Sequence, residues 1–393
     1  MKKIAILGAT GTIGANTLDV VRFSEGQLGV CALAGGRNIA LLAQQMEEFC
    51  PKLVAVLDTA QADALKKVVG RRFGGEILHG DAGYAEVAGF HEADLVVSAM
   101  VGAAGLKPTI AAINAGKDIA IANKETLVMA GRIVMTLAEK QGTRVLPIDS
   151  EHSAIFQCLN GEDIRNVSRI IITASGGPFF RQEITKEITP ASAMQHPRWR
   201  MGKKISIDSA TMMNKGLELI EARWLFGVSP DRLVAIIHPQ SIVHSLVEFN
   251  DGSLLAQLAA PDMRLAIAYA LHFPERKPLN FSRLDLVSVG ALEFFPPDEE
   301  KFPCLAIARS VLHTDGILPA VMNAANEIAV EAFLAERIDF LQISSLIAAT
   351  LSSFKDKENP SLEEIIQADA LARAEAERIL TERVLVASYP RVT

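Results

Sequence analysis

The chain has 393 residues, 49% of them hydrophobic, with mean hydropathy +0.23, a formal net charge of -7 and a pI near 5.7. That length accommodates two or three domains with ample core, and the composition excludes a disordered polar chain. An acidic balance with no strongly basic segment argues against non-specific nucleic-acid binding.

Met1-Lys2-Lys3 is basic, but the apolar run that follows ends at Gly8, too soon for a secretory signal. No uninterrupted apolar stretch reaches about eighteen residues, so a transmembrane helix is not expected. Strand and helix signals then alternate. Strands are expected at 4–7, 30–34, 53–57, 94–98 and 118–122, and helices at 14–22, 39–49, 60–69 and 106–115. Apolar strands separated by helices predict a parallel sheet covered on both faces, here an N-terminal Rossmann-like domain over 1–149.

From 150 to 290 the pattern becomes α+β and predicts a separate central domain. Strands are expected at 169–173, 233–237, 241–249 and 254–258, with Asn250-Asp251-Gly252 as a hairpin turn between the last two. The stretch from about 182 to 202 follows Gly176-Gly177-Pro178, contains Pro190 and Pro197 and has no steady period. Loops of that length in a compact domain are often functional. Proline-rich residues 291–303 read as a linker, and helical patterns at 305–312, 318–337, 340–352 and 362–380 predict a C-terminal helical bundle over 304–393. Cys31, Cys50, Cys158 and Cys304 are scattered without a C-x-x-C pair; three sit in apolar surroundings and read as buried, inert thiols, which fits a reducing cytoplasm.

Gly8-Ala9-Thr10-Gly11-Thr12-Ile13-Gly14 links the first strand to the first helix. Glycines there allow a tight turn and close approach to a pyrophosphate, which the helix N-terminus attracts. After the second strand comes Gly35-Gly36-Arg37-Asn38, with no carboxylate to read a ribose hydroxyl. Arg37 can instead pair with the 2′-phosphate of NADP, or it is a solvated loop arginine. Asn123-Lys124-Glu125 follows another strand. Lys124 there either meets an anionic or hydroxylated substrate or forms a surface ion pair with Glu125.

Asp149 and Glu151 stand one residue apart after Val145-Leu146. They project to the same side if the strand continues. Asn214, Lys215 and Glu218 share one face of an expected helix. If the fold joins these groups, three carboxylates offer a hard divalent metal its ligands. A nucleotide plus an oxygen-ligated metal points to a redox enzyme acting on a polyoxygenated substrate. His152, His238 and His244 read as structural hydrogen-bonding groups.

Taken together, Gly8 to Gly14, Ala122 to Leu127, Pro147 to Phe156, Ala174 to Phe179, His196 to Gly202 and Ser206 to Phe226 resemble the 1-deoxy-D-xylulose 5-phosphate reductoisomerase family. Gly252 to Ala266 adds to the match, and Asp208-Ser209-Ala210-Thr211-Met212-Met213-Asn214-Lys215-Gly216-Leu217-Glu218 is its most specific part. The resemblance implies a homodimeric NADPH-dependent enzyme of the non-mevalonate isoprenoid route that needs Mg²⁺, Mn²⁺ or Co²⁺. It implies Asp149, Glu151 and Glu218 as metal ligands, which suits hard cations. Lys124 and Ser150 would contact substrate, and Ser175, Ser209, Asn214 and Lys215 would form the phosphate pocket and its margin. His196, Trp199 and Met201 would lie on a lid that closes over the substrate. Cofactor contacts would come from Gly8, Thr10, Gly11, Thr12, Ile13, Gly36, Arg37, Asn38, Asn123, Glu125 and Gly202. Thr12 stands where a serine is common, and Arg198 takes the variable position of His-Pro-x-Trp-x-Met-Gly. A semialdehyde or homoserine-type dehydrogenase shares the glycine loop without needing the metal triad, and a non-catalytic NADPH-sensing module would bind the cofactor without oxidising it.

Overall fold

The computed structural model describes residues 1–199, 201–278 and 280–388. They form two compact units, each assembled from separated stretches of chain. Of the described residues, the first comprises those within 1–126, 133–165 and 255–286, and the second those within 127–132, 166–254 and 287–388. Compactness therefore divides the chain differently from the serial division expected above. The C-terminal helices group with 166–254, and 255–286 returns to the first unit.

The first unit begins β1 (Lys2–Leu7), α1 (Thr12–Phe23), β2 (Leu28–Ala34), α2 (Ile39–Phe49), β3 (Leu53–Val56), α3 (Thr59–Val69), β4 (Glu76–His79) and α4 (Gly80–Gly89). It continues with β5 (Leu95–Ser98), α5 (Leu106–Asn114), β6 (Asp118–Ile121), α6 (Lys124–Gln141), β7 (Val145–Pro147) and α7 (Ser150–Cys158). The strands form one seven-stranded sheet in the order β4-β3-β2-β1-β5-β6-β7, and every pairing is parallel. Strand order reverses between β1 and β5, and the crevice at such a switch point is where open α/β sheets bind ligands. The buried runs of the central strands, Ile4–Leu7 of β1 and Leu95–Val97 of β5, are apolar, as burial on both faces requires. Ile4, Ile6, Leu33, Val54, Leu95 and Val97 are in the core with Leu18 of α1.

One strand–helix pair was not expected, and one expectation changes. Strand β4 and helix α4 carry weak signals: β4 is a four-residue edge strand of half-exposed residues, and three of the first four residues of α4 are Gly80, Asp81 and Gly83. The strand before Asp149 does not continue. It stops at Pro147, and Asp149 instead caps α7.

The second unit holds β8 (Val167–Ala174), α8 (Pro190–Ala193), α9 (Lys203–Ala210), α10 (Met213–Phe226), β9 (Leu233–Ile237) and β10 (Val243–Phe249). β8 pairs with β10 antiparallel and with β9 parallel. Asn250-Asp251-Gly252 makes the expected turn, closed by Phe249 N–H on Ser253 O at 2.9 Å. β11 (Leu254–Leu258) leads back to the first unit, where α11 (Met263–His272) packs on α1 and α7. Ile267 and Leu271 of α11 are 0% exposed within the first unit's core.

After the short α12 (Leu286–Val289) come α13 (Pro303–Leu312), α14 (Leu318–Leu334), α15 (Phe340–Ser352) and α16 (Leu362–Ser388). Small residues let α14 and α16 approach closely, around Val321, Ala324, Ala368 and Ala372. No helix among the described residues is long and apolar enough to cross a membrane.

Candidate active site

In the first unit, the glycine loop runs from the end of β1 into α1. Gly8 has φ +88°, and a Cβ there would lie 2.4 Å from Ala99 O, so only glycine fits. Gly11 N–H donates to Gly8 O at 3.0 Å, which closes the turn. Gly11 is also the N-cap of α1 and provides no side-chain cap. The first-turn N–H groups, beginning with Thr12 and Ile13, thus face the loop with the positive end of the helix dipole, as an anion site needs.

Two buried groups that the sequence did not single out support these loops. Gln45 of α2 donates through Nε2 to Ala9 O at 2.9 Å, and the Tyr84 hydroxyl of α4 donates to Gly35 O at 3.0 Å. Burial pushes the Tyr84 phenol up to about 12. A glutamine on the buried face of α2 was the available signal. Arg37 is exposed just beyond β2, and Asn38 caps α2 by accepting from Leu41 N–H at 3.2 Å.

Asn123 caps α6, and its side chain is spent inside the protein. It donates to Met100 O at 2.5 Å and Gly102 O at 2.9 Å and accepts from Thr126 N–H at 3.0 Å. Its side chain therefore clamps the loop after β5 to the start of α6. Lys124, the next residue, is 6% exposed and pairs with Asp149 Oδ2 at 2.6 Å. The surface-pair alternative for Lys124 is thereby set aside. Ser150 N–H donates to Asp149 Oδ1 at 3.0 Å, and Ser150 Oγ donates to Glu151 Oε2 at 2.5 Å. Asp149 and Glu151 are brought together by a helix N-terminus, which favours negative charge. The alternation of a strand plays no part.

In the second unit, β8 ends at Ala174, and Gly176-Gly177 turn the chain sharply. Gly177 has φ +67°, and a Cβ there would lie 2.6 Å from Ser209 O. The turn after Ser175 therefore packs directly against the end of α9. His196, from the long loop, is bonded through Nε2 to Ser175 Oγ at 2.8 Å. Its Nδ1 accepts from Arg198 N–H at 3.2 Å and Trp199 N–H at 2.9 Å. A neutral ring accepting at Nδ1 carries its proton on Nε2, so His196 donates to Ser175. Gly177 N–H donates to the same hydroxyl at 3.1 Å. Ser175 is left with its own proton to offer outward.

The long loop contains α8, started by a Thr189–Ser192 capping box. Trp199 lies 6.4 Å from the His244 ring. Met201 is half-buried and Gly202 is exposed at the N-cap of α9. Residue 200 of this loop is outside the described residues.

On α10, Glu218 is 0% and Lys215 3% exposed. Lys215 Nζ pairs with Glu218 Oε2, and Asn214 Nδ2 donates to Glu218 Oε1 at 2.5 Å. The expected helical face is present. His238 is structural: its Nδ1 meets Glu293 O at 2.8 Å, and burial holds its pKa below 6.5.

A doubly wound sheet with an open glycine loop, and a second unit gathering hydroxyl, imidazole and lysine groups, define a nucleotide-dependent oxidoreductase acting on an anionic, oxygen-rich substrate. Three family models match the chain: 1-deoxy-D-xylulose 5-phosphate reductoisomerase over residues 4–131, and its two C-terminal domain models over 145–226 and 258–375. The reductoisomerase of Heliobacterium modesticaldum is 52% identical over 387 residues, covering 98% of each chain. That of Desulfosudis oleivorans is 53% identical over 384 residues, covering 97% of this chain and all of the other. A reductoisomerase crystal structure with NADPH, fosmidomycin and magnesium superposes with TM-score 0.92 at 42% identity, covering 99% of this chain and 100% of the other. The Zymomonas mobilis enzyme with NADPH gives TM-score 0.89 at 42% identity, covering 96% of this chain and 99% of the other. The chain belongs to the 1-deoxy-D-xylulose 5-phosphate reductoisomerase family.

Proposed function

We propose that this chain performs its family's reaction through the residues grouped above. It uses NADPH and a divalent cation to rearrange and reduce 1-deoxy-D-xylulose 5-phosphate to 2-C-methyl-D-erythritol 4-phosphate. The observation that carries the assignment of residues is the gathering of Ser175, His196 and the Ser209 segment at one place in the second unit.

The donor sets fit both the cofactor and the cation. The turn leaves no room for a Cβ at Gly8 and exposes helix N–H groups, which suits a pyrophosphate. Thr10, Thr12, Ile13, Gly36 and Arg37 would contribute cofactor contacts, with Arg37 reading the 2′-phosphate. Asn38 and Asn123 contribute by holding the loops. Asp149 and Glu151, joined by Glu218, would hold the cation; carboxylate oxygens suit Mg²⁺ or Mn²⁺. When bound, the metal supplies Lewis-acid polarisation of the substrate carbonyl, and NADPH supplies the hydride.

The chain's own side chains do the rest. Lys124, held by Asp149, presents an ammonium to a substrate oxygen. Ser150 orients Glu151 and offers a hydroxyl. Ser175 donates its free proton to a phosphate oxygen, fixed in that role by His196 and Gly177. Ser209, Asn214 and Lys215 complete the phosphate pocket. Trp199 and Met201 on the long loop would exclude water, and Gly202 would be a cofactor contact. The protein works as a cytoplasmic homodimer. NADPH absorbance, followed with 1-deoxy-D-xylulose 5-phosphate in the presence and absence of Mg²⁺ or Mn²⁺, tests the proposal. Oxidation that survives EDTA, or none with this substrate, overturns it.

A further inference from the structure

Helix α9 carries a charge pattern that its own backbone disfavours. Lys203 and Lys204 open the helix and Asp208 lies near its end. Each therefore opposes the helix dipole. Lysine before aspartate is also the weaker order for an i,i+4 pair. Yet Asp208 is 1% exposed and both its oxygens are engaged. Lys204 Nζ lies 2.8 Å from Oδ2, and Asn326 Nδ2 donates to Oδ1 at 2.8 Å.

Asn326 comes from α14. It and Asn323 are each 0% exposed, in a helix whose other buried residues are apolar or proline. Asn323 donates to Glu327 Oε1 at 3.0 Å, and Glu327 accepts from Arg373 of α16 at 2.7 Å. Apolar residues would pack α9 on α14 without desolvating charge. A polar bridge adds direction: it holds only one register between the two helices.

What that register governs is the corner after α9. Ser209 follows Asp208, and Met212 turns the chain at φ +62°, a conformation that costs a residue with a side chain. α10 then presents Asn214, Lys215 and Glu218. A strained corner persists only where its surroundings hold it.

We infer that Asp208 and Asn326 are positioning residues for the substrate site. Their carboxylate–amide bridge clamps α9 to α14 and so fixes how Ser209, Asn214 and Lys215 meet the sugar phosphate. The clamp rests on the substrate-site assignment given above, and neither side chain touches substrate.

Asn326→Leu removes the donor while keeping the volume. The expected result is a fall of about tenfold to a hundredfold in kcat/KM for 1-deoxy-D-xylulose 5-phosphate, the size of a displacement near 1 Å. KM for NADPH stays unchanged. The double variant Asp208→Asn/Asn326→Asp re-forms the bridge with its charge on the other helix, and it recovers activity relative to either single change. The clamp is overturned by a wild-type kcat/KM in Asn326→Leu, by an equal rise in both KM values, or by a double variant no better than its parents. Should Asn326→Leu not fold, Asn326→Ser makes the same comparison. Lys215→Ala is measured alongside. Wild-type rates in Lys215→Ala overturn the substrate site and the clamp with it. A crippled Lys215→Ala beside an unaffected Asn326→Leu overturns the clamp alone.

Discussion

Replacing Glu218 by Gln changes charge with almost no change in shape, and the structure sets the size of the consequence. Glu218 is fully buried, with Lys215 paired to one oxygen and Asn214 donating to the other. A glutamine keeps one acceptor but turns an NH₂ toward the second donor. The remaining bond drops from charge-assisted to neutral strength, a loss of about 1–2 kcal/mol, and the mismatched donor costs about 1–3 kcal/mol more. Destabilisation of the metal-free protein by about 2–5 kcal/mol is therefore expected, in line with breaking a buried ion pair. The kinetic effect is larger in kind. If Glu218 ligates the metal as proposed, its loss removes several kcal/mol of transition-state charge stabilisation, at least about a thousandfold in kcat. The assay is NADPH oxidation across a Mg²⁺ titration, at a temperature where melting curves show the variant folded. NADPH affinity, measured by fluorescence, should not change, because the glycine loop belongs to the first unit. A Glu218→Gln enzyme with wild-type kcat at saturating Mg²⁺ would remove this carboxylate from the metal's ligands.

Arg37→Ala should raise KM for NADPH by at least about tenfold while leaving KM for NADH nearly unchanged, as loss of a charge-assisted contact to one phosphate implies; equal small changes would refute the 2′-phosphate role. Gly177→Ala forces a left-handed residue with a side chain against Ser209 O. It should cost at least about 1–2 kcal/mol in stability and raise KM for the sugar phosphate, and a variant matching wild type in both would show that the turn yields freely. Burial pushes the thiols of Cys31 and Cys158 up to about 11 and that of Cys304 to about 12, whereas Cys50 is exposed. Iodoacetamide on the native protein should label Cys50 alone by mass spectrometry, and modification of the other three under native conditions would contradict their burial. His238 is held below its ordinary value of 6.5 by burial, so the unfolded chain takes up a proton first as pH falls. Its contribution is complete above pH 6.5 and is lost as pH drops through the folded value; denaturant titrations of His238→Gln should show a shallower acid limb, and an identical slope would refute it.

The sequence by itself determined whatever depends on neighbours a few positions away. Gly8 to Gly14 announced a nucleotide turn because strand, glycine and helix signals are contiguous. Asn214, Lys215 and Glu218 announced a common face because helical spacing alone puts them there. The same local chemistry could have placed Asp149, since aspartate before Ser150 and Glu151 is a helix-cap pattern, yet the preceding apolar residues made a strand equally plausible. The tertiary structure decided the rest. Nothing local tells that His196 bonds Ser175, that Gly177 abuts Ser209, or that Asp208 meets Asn326 across 118 positions. Nor does anything local send residues 255–286 back to lay Ile267 and Leu271 on the first unit's core. Periodicity reports which face of an element is buried, but not against what. The partner is chosen by packing and by the need of each buried polar group for a complement, and both act through space and not along the chain.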